Sequence, residues 1–351
     1  MATIKDVAKL AGVGIGTASR AISGRGAVAP ETLARVQQAV RTLDFRPSNV
    51  ARALSLKTLG MLGVYVPYFE GTFYGPILGA IDAELRAVDR HMVAANGCGR
   101  GDRRQQALDG IDFLIHRECD GILVLSNDLS DADLIALQQR HERLVVLNRQ
   151  IAALASHCFT VDHNLAGRLA ARALLARGHR EIATLSGPHV APDNEARMAG
   201  FRDELAAHGV KLKRAHQVEG DFSLGSGAAA AQTLLKRASR SYSALFCAND
   251  QMAIGAISVF SQAGLRLPGD LSVIGFDGSP FAAYSTPPLT TVQIPIEQIA
   301  VNGCRFLLNL CYGLALPVQR EFPPSVVWRL SVGDGPHIRP APAEPEIAIS
   351  R

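Results

Sequence analysis

The sequence predicts an α/β protein in which a small N-terminal helical unit precedes a larger body of parallel β-sheets. From residue 59 onward, short apolar runs alternate with helical stretches, as expected for parallel strands joined by crossover helices. Residues 1–57 instead show short helical patterns and a charge balance of their own. A length of 351 residues with 48% hydrophobic content is sufficient for two or three domains.

The composition is that of an ordinary globular protein, with 19% charged residues. No apolar run approaches the length of a membrane span, and Lys5, Asp6 and Lys9 stand where a signal peptide would need an apolar stretch. The six cysteines contain no C-x-x-C pair, and neither they nor the ten histidines show metal-ligand spacing. We therefore expect a cytoplasmic protein with no membrane partner, no metal and no cofactor.

The N-terminal region predicts three helices. Apolar residues at helical spacing predict helices over 4–10 and 15–22, and Gly12 between them suits a tight turn with a positive φ. Pro30 occupies the first turn of a third predicted helix. The apolar face of that helix consists of Leu33, Val36, Val40 and Leu43. Two short helices joined by a glycine-containing turn, followed by a supporting helix, are typical of a helix-turn-helix DNA-binding unit.

Charge is distributed unevenly along the chain. Residues 1–57, here called the headpiece, contain nine Lys and Arg against three acids, a net charge of +6. The remainder, here called the body, contains 27 basic and 29 acidic residues, a net charge of −2. A basic headpiece on a mildly acidic body indicates a polyanionic partner. A solvated surface explains the charge equally well, so the motifs have to decide.

Four segments of the headpiece resemble the DNA-binding region of the lactose-repressor (LacI/GalR) family. They are T-I-K-D-V-A-K-L-A-G-V at 3–13, T-A-S-R at 17–20, A-P-E-T at 29–32 and R-P-S-N-V-A-R-A-L at 46–54. The resemblance implies a nucleoid-associated transcriptional regulator, most often a repressor, that binds a pseudo-palindromic operator as a homodimer under the control of a small-molecule effector. It also implies a domain order. The regions are a helix-turn-helix domain at 1–46, a hinge helix and linker at 47–58, an effector-binding and dimerisation domain at 59–331, and a tail at 332–351.

The same resemblance implies DNA-binding roles for individual residues. Three fall on base-reading positions of the second helix: Ile15, Gly16 and Arg20. Only Arg20 among them has a side chain that can form paired hydrogen bonds with guanine. Three others fall on phosphate-contact positions: Thr3, Thr17 and Ser19. The family usually has Ser where Gly14 stands, so a helix cap and a phosphate contact are expected to be missing. The plain alternative is that all of these are ordinary helix-surface residues.

The segment at 49–55 matches the hinge helix of the family, which becomes ordered when the dimer sits on DNA. DNA contacts are implied for Asn49, Ala51 and Leu54. Leu54 matches an apolar wedge that enters the minor groove, unstacks bases and kinks the duplex. The alternative is an ordinary linker whose leucine packs on the body.

Two sets of four apolar runs predict the strands of the body. The first set is MLGVYVP, HMVAAN, GILVLS and RLVVLN, and the second is CFTVD, EIATLSG, ALFCAND and LSVIGFDG. Helical stretches are predicted at 75–89, 103–117, 165–177, 195–208, 226–238 and 250–263. Ligands of such folds bind beyond the carboxyl ends of the strands, which here carry polar residues.

Further motifs of the body resemble the same family, among them R-M-A-G-F at 197–201 and A-N-D-Q-M-A-I-G-A at 248–256. They imply a two-subdomain, periplasmic-binding-protein-like core with the effector in a cleft. The matching cleft positions are Phe73, Tyr74, Asn148, Arg149, Arg197, Phe222, Asn249 and Asp277. Polar members of this set can bind hydroxyl groups, and aromatic members can cover the apolar face of a sugar. Any single member has a structural alternative, such as a loop cap for Asp277.

Three functional classes remain open at this point. Asn249 followed by Asp250 resembles the sugar-responsive branches more than the purine-responsive branch, which favours a regulator with a sugar-like effector. A solute-binding protein would share the body, but the basic headpiece and the missing signal peptide argue against it. An α/β enzyme could use the same cleft, yet the sequence contains no recognisable nucleophile, metal cluster or acid/base pair. The Pro-rich tail lacks leucine heptads, so we expect a dimer rather than a tetramer.

Overall fold

A computed structural model of the chain describes residues 2–23, 27–45, 58–97, 101–237 and 241–336. Contacts within the chain divide it into two compact units, Met1–Gly60 and Met61–Arg351, and each is described by itself. The predicted hinge residues Asn49, Ala51 and Leu54 lie outside the described residues, as does most of the predicted tail. Within the described ranges, no helix is both long enough and apolar enough to cross a bilayer.

The first unit contains the three predicted helices, with ends shifted by a residue or less. They are α1 (Ile4–Ala11), α2 (Ile15–Ser23) and α3 (Pro30–Thr42). Thr3 and Asp6 form a capping box at the start of α1, since each side chain accepts a hydrogen bond from the other residue's backbone N–H. Gly12 ends α1 with φ +67°, a left-handed conformation that costs a residue without Cβ little. The core beneath the three helices is made of Val7, Ala11, Val36 and Ala39.

Five parallel strands form the first sheet of the body. They are β1 (Met61–Val66), β2 (His91–Asn96), β3 (Gly121–Val124), β4 (Leu144–Leu147) and β5 (Cys158–Phe159), in the order β2-β1-β3-β4-β5. The connecting helices are α4 (Tyr74–Ala87), α5 (Arg103–His116) and α6 (Asp131–Arg140). The central strands β3 and β4 are buried along their whole length, which explains their continuous apolar sequences.

Six strands form the second sheet. They are β6 (Ile182–Ser186), β7 (Gln217–Glu219), β8 (Ala244–Cys247), β9 (Ser272–Asp277), β10 (Thr290–Gln293) and β11 (Ser325–Val327), in the order β11-β10-β9-β8-β6-β7. Its helices are α7 (His163–Ala176), α8 (Pro192–Ala207), α9 (Leu224–Lys236) and α10 (Asp250–Gln262). All pairings are parallel except that of β11 with β10. The prediction of parallel sheets is therefore confirmed except at this edge, where a short antiparallel strand was not expected.

One further helix, α11 (Ile296–Tyr312), was not predicted and joins the two halves of the body. It packs on the first sheet, although β10 and β11, which flank it in sequence, belong to the second. Arg305 on α11 forms an ion pair with Glu84 on α4 at 2.7 Å, and the Tyr312 hydroxyl donates to Asp120 at 2.7 Å. The first subdomain is therefore the β1–β5 sheet with α4–α6 and α11, and the second is the β6–β11 sheet with α7–α10. The chain passes between the subdomains three times.

Candidate functional site

A cavity that is open to solvent lies between the two subdomains at the carboxyl ends of their strands. The structure places seven of the eight predicted cleft residues around it: Phe73, Tyr74, Asn148, Arg197, Phe222, Asn249 and Asp277. Six residues that the sequence analysis did not name complete the lining: Leu125, Ser126, Asn127, Leu147, Asp193 and Gln251. We call this the cleft cavity.

Arg197, on α8, is the most deeply buried charged group of the cleft cavity, with 2% of its surface exposed. Its guanidinium donates to the Ala248 carbonyl oxygen and to the Asp193 carboxylate, and it lies 3.7 Å from the centre of the Phe276 ring. Among the described residues, none accepts a hydrogen bond from its Nε. Burial lowers the pKa of Arg197, although the nearby carboxylates of Asp193 and Asp277 oppose that effect. Arg197 thus lines the cavity as a cation with one unused donor, on a nitrogen atom that is itself buried.

Asp193 connects the two subdomains across the cleft. It lies on α8 one turn before Arg197, and its carboxylate accepts from the side-chain amides of Asn127 at 2.8 Å and Asn148 at 3.4 Å. Both asparagines follow strands of the first subdomain, whereas Asp193 belongs to the second. The Asn194 backbone N–H donates to the same carboxylate at 2.9 Å. One buried carboxylate therefore neutralises Arg197 and also links the two subdomains.

The direction of the hydrogen bonds around Asn148 fixes the state of a neighbouring histidine. Because the Asn148 amide nitrogen donates to Asp193, its amide oxygen is the acceptor for His163 Nε2 at 3.1 Å. His163 is buried, and burial followed by the charge of Arg197 lowers its pKa to about 4. A neutral imidazole that donates through Nε2 has an acceptor at Nδ1, and no described residue donates to that atom.

Asp277 is the last residue of β9 and has φ +103°. Within the described part of the chain, no side chain or backbone N–H donates to its carboxylate. Burial, reinforced by the charges of Asp250 and Asp193, raises its pKa well above the usual range despite the opposing charge of Arg197. Asp250 differs, because its fully buried carboxylate accepts from Ser279 N and Thr291 Oγ1, each at 2.6 Å, and burial raises its pKa to about 7.

Aromatic rings close the cleft cavity on two sides. Phe73 and Tyr74, at the start of α4, form an edge-to-face pair with ring centres 5.3 Å apart. Phe222 has φ +70°, and its carbonyl oxygen accepts from the Asn249 side chain at 2.9 Å. Its ring lies against Gly187, where an added Cβ would approach ring carbons to 2.2 Å. Glycine at 187 therefore makes room for the Phe222 ring.

Arg149 is the predicted cleft residue that the structure places elsewhere. Its side chain is buried outside the cleft cavity, where the guanidinium donates to the Leu129 carbonyl oxygen and to the Asp131 carboxylate, each at 2.5 Å. These bonds tie the end of β4 to the start of α6, and the ligand contact expected of Arg149 stays a prediction. The side chains of Asn148 and Arg149 separate at a turn of the backbone after β4, where Asn148 has φ +59°.

The predicted DNA-contacting face of the headpiece lies on α2. Ile15 is 49% exposed, and Gly16, Ser19 and Arg20 are also exposed, whereas Ala18 between them is buried. The Arg20 guanidinium lies along the helix, within 3.4 Å of the Gly16 carbonyl oxygen and 3.5 Å of the Thr17 hydroxyl. These distances place Arg20 and the half-buried Thr17 on one continuous surface.

Two details of the headpiece bear on the predicted phosphate contacts. The Thr3 hydroxyl donates to the Asp6 carboxylate at 2.7 Å, so a phosphate at this position would compete with Asp6. Gly14 precedes α2 and contributes only its carbonyl oxygen, which accepts from Thr17 N and Ala18 N at 3.0 Å. The side-chain cap that Ser would offer at this position is therefore absent, as expected from the sequence.

Asp193 and Asn127 are two of the six lining residues that the sequence analysis did not name. The predicted helix began at 195, two residues after Asp193, although Pro192 is a typical first residue of a helix. The spacing of four residues between Asp193 and Arg197 is the one that brings opposite charges together on a helix, and it was available in the sequence. Asn127 follows β3 in a loop, and nothing in the sequence pairs it with a residue 66 positions away.

Comparison with known proteins agrees with this geometry. Residues 3–48 match the family described as bacterial regulatory proteins, lacI family, and residues 171–332 match the periplasmic binding protein-like domain. The chain is 33% identical to the HTH-type transcriptional regulator GalR of Escherichia coli (strain K12) over 333 residues, which are 95% of this chain and 96% of GalR.

Two further comparisons extend over nearly the whole chain. It is 35% identical to the HTH-type transcriptional repressor PurR of Erwinia tasmaniensis over 341 residues, 96% of this chain and 98% of that repressor. The solved structure of the Lac repressor dimer bound to operator and an anti-inducer superposes with a TM-score of 0.84 at 27% identity. That match covers 95% of this chain and 99% of the Lac repressor chain.

Asp193→Ala should lower the free energy of unfolding of the body by roughly 3–5 kcal/mol, because it leaves the buried Arg197 without its counter-charge. Asp203→Ala is the matched control, since Asp203 lies on the same helix and pairs with Arg168 at 3.2 Å near the surface. Its loss should cost at most about 1 kcal/mol. Urea unfolding followed by circular dichroism measures both, and equal losses would contradict the assignment of Asp193 as the counter-ion.

Proposed function

Because the chain belongs to the LacI family of bacterial transcriptional regulators, which are DNA-binding proteins and not enzymes, we propose that it represses transcription from a pseudo-palindromic operator as a homodimer. We further propose that a hydroxyl-rich, sugar-like effector in the cleft cavity controls its affinity for the operator. The observation that carries the effector proposal is the pairing of two unused groups in one cavity: the Arg197 Nε donor and the Asp277 carboxylate acceptor.

For the headpiece, we propose that α2 reads bases in the major groove. The exposed face with Ile15, Gly16, Ser19 and Arg20 has one long hydrogen-bonding side chain, that of Arg20. A guanidinium can donate to both guanine O6 and N7, whereas Ile15 can press only on an apolar group such as a thymine methyl. Thr3, Thr17 and Ser19 would contact phosphates, and Asn49, Ala51 and Leu54 would contact the DNA from the hinge.

Arg20→Ala should weaken operator binding by about 1–3 kcal/mol while leaving the affinity for scrambled DNA nearly unchanged. A base contact contributes only at the correct sequence, whereas a phosphate contact contributes at every sequence. Competition titrations with operator and scrambled duplex at one fixed salt concentration measure the two affinities. If both affinities fall equally, Arg20 is a phosphate contact and the assignment of its role in base reading is wrong.

Three exposed apolar side chains of the second subdomain support a dimer. Leu224, at the start of α9, is 53% exposed, and Phe281 and Tyr284, in and directly after a short 3₁₀ turn that packs on α10, are 56% and 86% exposed. Large exposed apolar side chains in one region are typical of a protein–protein interface. A self-complementary contact between two copies would bury them.

Tyr284→Arg should shift the full chain from dimer to monomer, because it places a charge in the centre of the proposed interface. Val190→Arg is the matched control, since Val190 is 71% exposed but lies in the loop before α8. Sedimentation velocity at the concentrations used for the DNA titrations measures the state of both variants. A Tyr284→Arg protein that sediments as the unsubstituted dimer would place the interface elsewhere.

The cleft cavity favours a sugar-like effector over a purine because of its hydrogen-bonding groups. A hydroxyl group accepts and donates at once, so one hydroxyl can accept from Arg197 Nε and another can donate to the Asp277 carboxylate. The Asn148, Asn249 and Gln251 amides offer further partners around them. Phe222 can cover the apolar face of a pyranose ring. The relatives include both GalR and PurR, so the comparisons alone leave the choice between sugar and purine open.

The effector would act on the contacts that cross the cleft. Asn127 and Asn148 of the first subdomain donate to Asp193 of the second, and a ligand between them competes for the same groups. Such a ligand shifts the equilibrium between two subdomain arrangements by its difference in affinity for them. The first subdomain follows the 47–58 segment directly in the chain, so the arrangement of the subdomains is coupled to DNA binding. The coupling must be reciprocal, since it is an equilibrium property.

Asp277→Ala should abolish the response to effector while operator binding without effector is retained. Loss of a charged acceptor for a ligand hydroxyl lowers the binding free energy of the effector by about 1–3 kcal/mol or more. A thermal-shift screen with monosaccharides, disaccharides and purines first identifies a ligand that stabilises the chain, and operator titrations with and without it then test the variant. Asp203→Ala serves as the control outside the cavity. A variant that still responds at the unsubstituted protein's ligand concentration would move the effector site away from Asp277.

A further inference from the structure

Beside the cleft cavity lies a second cavity that is also open to solvent, which we call the side cavity. It is lined by the loop before α4, the turn after β9 and the segment from β10 into α11. Phe73 and Asp277 are the two residues that line both cavities, so they mark the junction between them. A ligand in the cleft cavity can therefore contact the same two side chains that line the side cavity.

The charged side chains that line the cleft cavity and the side cavity include more carboxyl groups than cations. Among the described residues, the charged side chains that line them are Asp193, Asp277, Glu297 and Arg197. Asp193 is engaged by Arg197 and by three other donors, so the guanidinium charge is already met by a carboxylate. Among the described residues, none forms an ion pair with Asp277 or with the exposed Glu297, although the charge of Arg197 acts on the pKa of Asp277. An anionic ligand would meet the charge of Glu297, whereas a cationic group beside Asp277 would stabilise the ionised form of that carboxyl, whose pKa burial raises.

The hydrogen-bonding groups point to the same ligand. Arg197 is 98% buried, and its Nε donor has no acceptor among the described residues, which calls for a hydroxyl or ether oxygen in the cleft cavity. The Asp277 carboxylate receives no hydrogen bond from any described residue, which calls for a donor at the junction. Phe73 stands at the same junction, and an aromatic face attracts an ammonium group. Oxygen atoms are therefore favoured on one side of the ligand and a positive donor on the other.

We propose that the effector is an aminated polyol, such as an amino sugar, whose protonated amino group binds between the Asp277 carboxylate and the Phe73 ring. This inference rests on the proposed function, because it names the substituent that the effector of the cleft cavity carries. The hydroxyl groups of the ligand occupy the cleft cavity beside Arg197, and the ammonium group occupies the junction with the side cavity. Acetylation of the amine removes the positive charge of the ligand and enlarges the group that has to fit beside Asp277. A phosphate group on the ligand would place negative charge beside the carboxyl groups of Asp277 and Glu297, which weakens binding.

The test compares ligands that differ in one substituent, using the full-length chain without substitution. Glucosamine, galactosamine and mannosamine are each measured beside the parent hexose, the N-acetyl derivative and the hexose 6-phosphate, by thermal shift and then by calorimetry. At pH 7 and fixed ionic strength, at least one amino sugar should bind at least about tenfold tighter than its parent. Its N-acetyl derivative should lose that advantage, and the phosphate should bind more weakly than the parent.

Asp277→Asn provides an independent readout, because it removes the charge and keeps the size of the side chain. The advantage of the amino sugar over its parent should fall to less than about threefold, whereas Asp203→Asn, outside both cavities, should keep it. If Asp277→Asn does not fold, the ligand series on the unsubstituted chain still decides.

Two outcomes separate the inference from the function on which it rests. If a parent hexose or a hexose phosphate binds as tightly as the amino sugar, the proposed role of the amino group is wrong. The proposal of a sugar-like effector is then unaffected. If none of these sugars in any form stabilises the chain, the sugar-like effector of the cleft cavity is wrong, and the inference falls with it.

Discussion

The burial of the Arg197 guanidinium is the constraint on which the rest of the cleft depends. Removing such a group from water costs several kcal/mol unless its charge and donors are met inside the protein. Asp193 on the same helix meets the charge, the Ala248 carbonyl oxygen at the end of β8 accepts one donor, and the Phe276 ring of β9 covers one face. Because these partners come from a helix and two strands, Arg197 fixes the start of α8 against the carboxyl edge of the second sheet.

The same carboxylate that pairs with Arg197 also sets how the subdomains meet. Asp193 has two oxygens, and after Arg197 and the Asn194 N–H are satisfied it still accepts from Asn127 and Asn148. The contact between the subdomains is thus made through neutral amides, which exchange one hydrogen-bonding partner for another at little net cost. A charged pair across the cleft would be far harder for a ligand to replace. The ion pair of Arg197 with Asp193 stays within one subdomain, whereas the bonds from Asn127 and Asn148 cross the cleft and can be exchanged for bonds to a ligand. Closure of the subdomains on a ligand requires such exchangeable contacts.

Periodicity predicted eight of the eleven strands in the described residues but missed β7, β10 and β11, and it assigned β5 to the set of the second sheet although β5 pairs with β4 in the first. The eight predicted strands and three headpiece helices follow from apolar runs and helical spacing, which are local properties. Seven of the eight predicted cleft residues lie around one cavity because the resemblance to the family covers the whole body. The side chain of Arg149 lies outside this cavity because it bonds to Leu129 and Asp131 beyond the end of β4. Asn127 and the return of α11 to the first sheet depend on contacts between distant parts of the chain, which no local pattern contains.

Backbone geometry gives a final reason to regard the cleft as a functional site and not as a gap between domains. Asn148, Phe222 and Asp277 line it with φ values of +59°, +70° and +103°, a region that residues with a Cβ rarely adopt. Each such conformation costs on the order of 1–3 kcal/mol and persists only where the surroundings hold it in place. Hydrogen bonds with His163 and Asp193 hold Asn148 in place. The Asn249 side chain holds Phe222, and the pairing of β9 with β10 holds Asp277. Three separate segments thus adopt backbone conformations that cost free energy of folding. Their common result is that the side chains of Asn148, Phe222 and Asp277 line the same cavity.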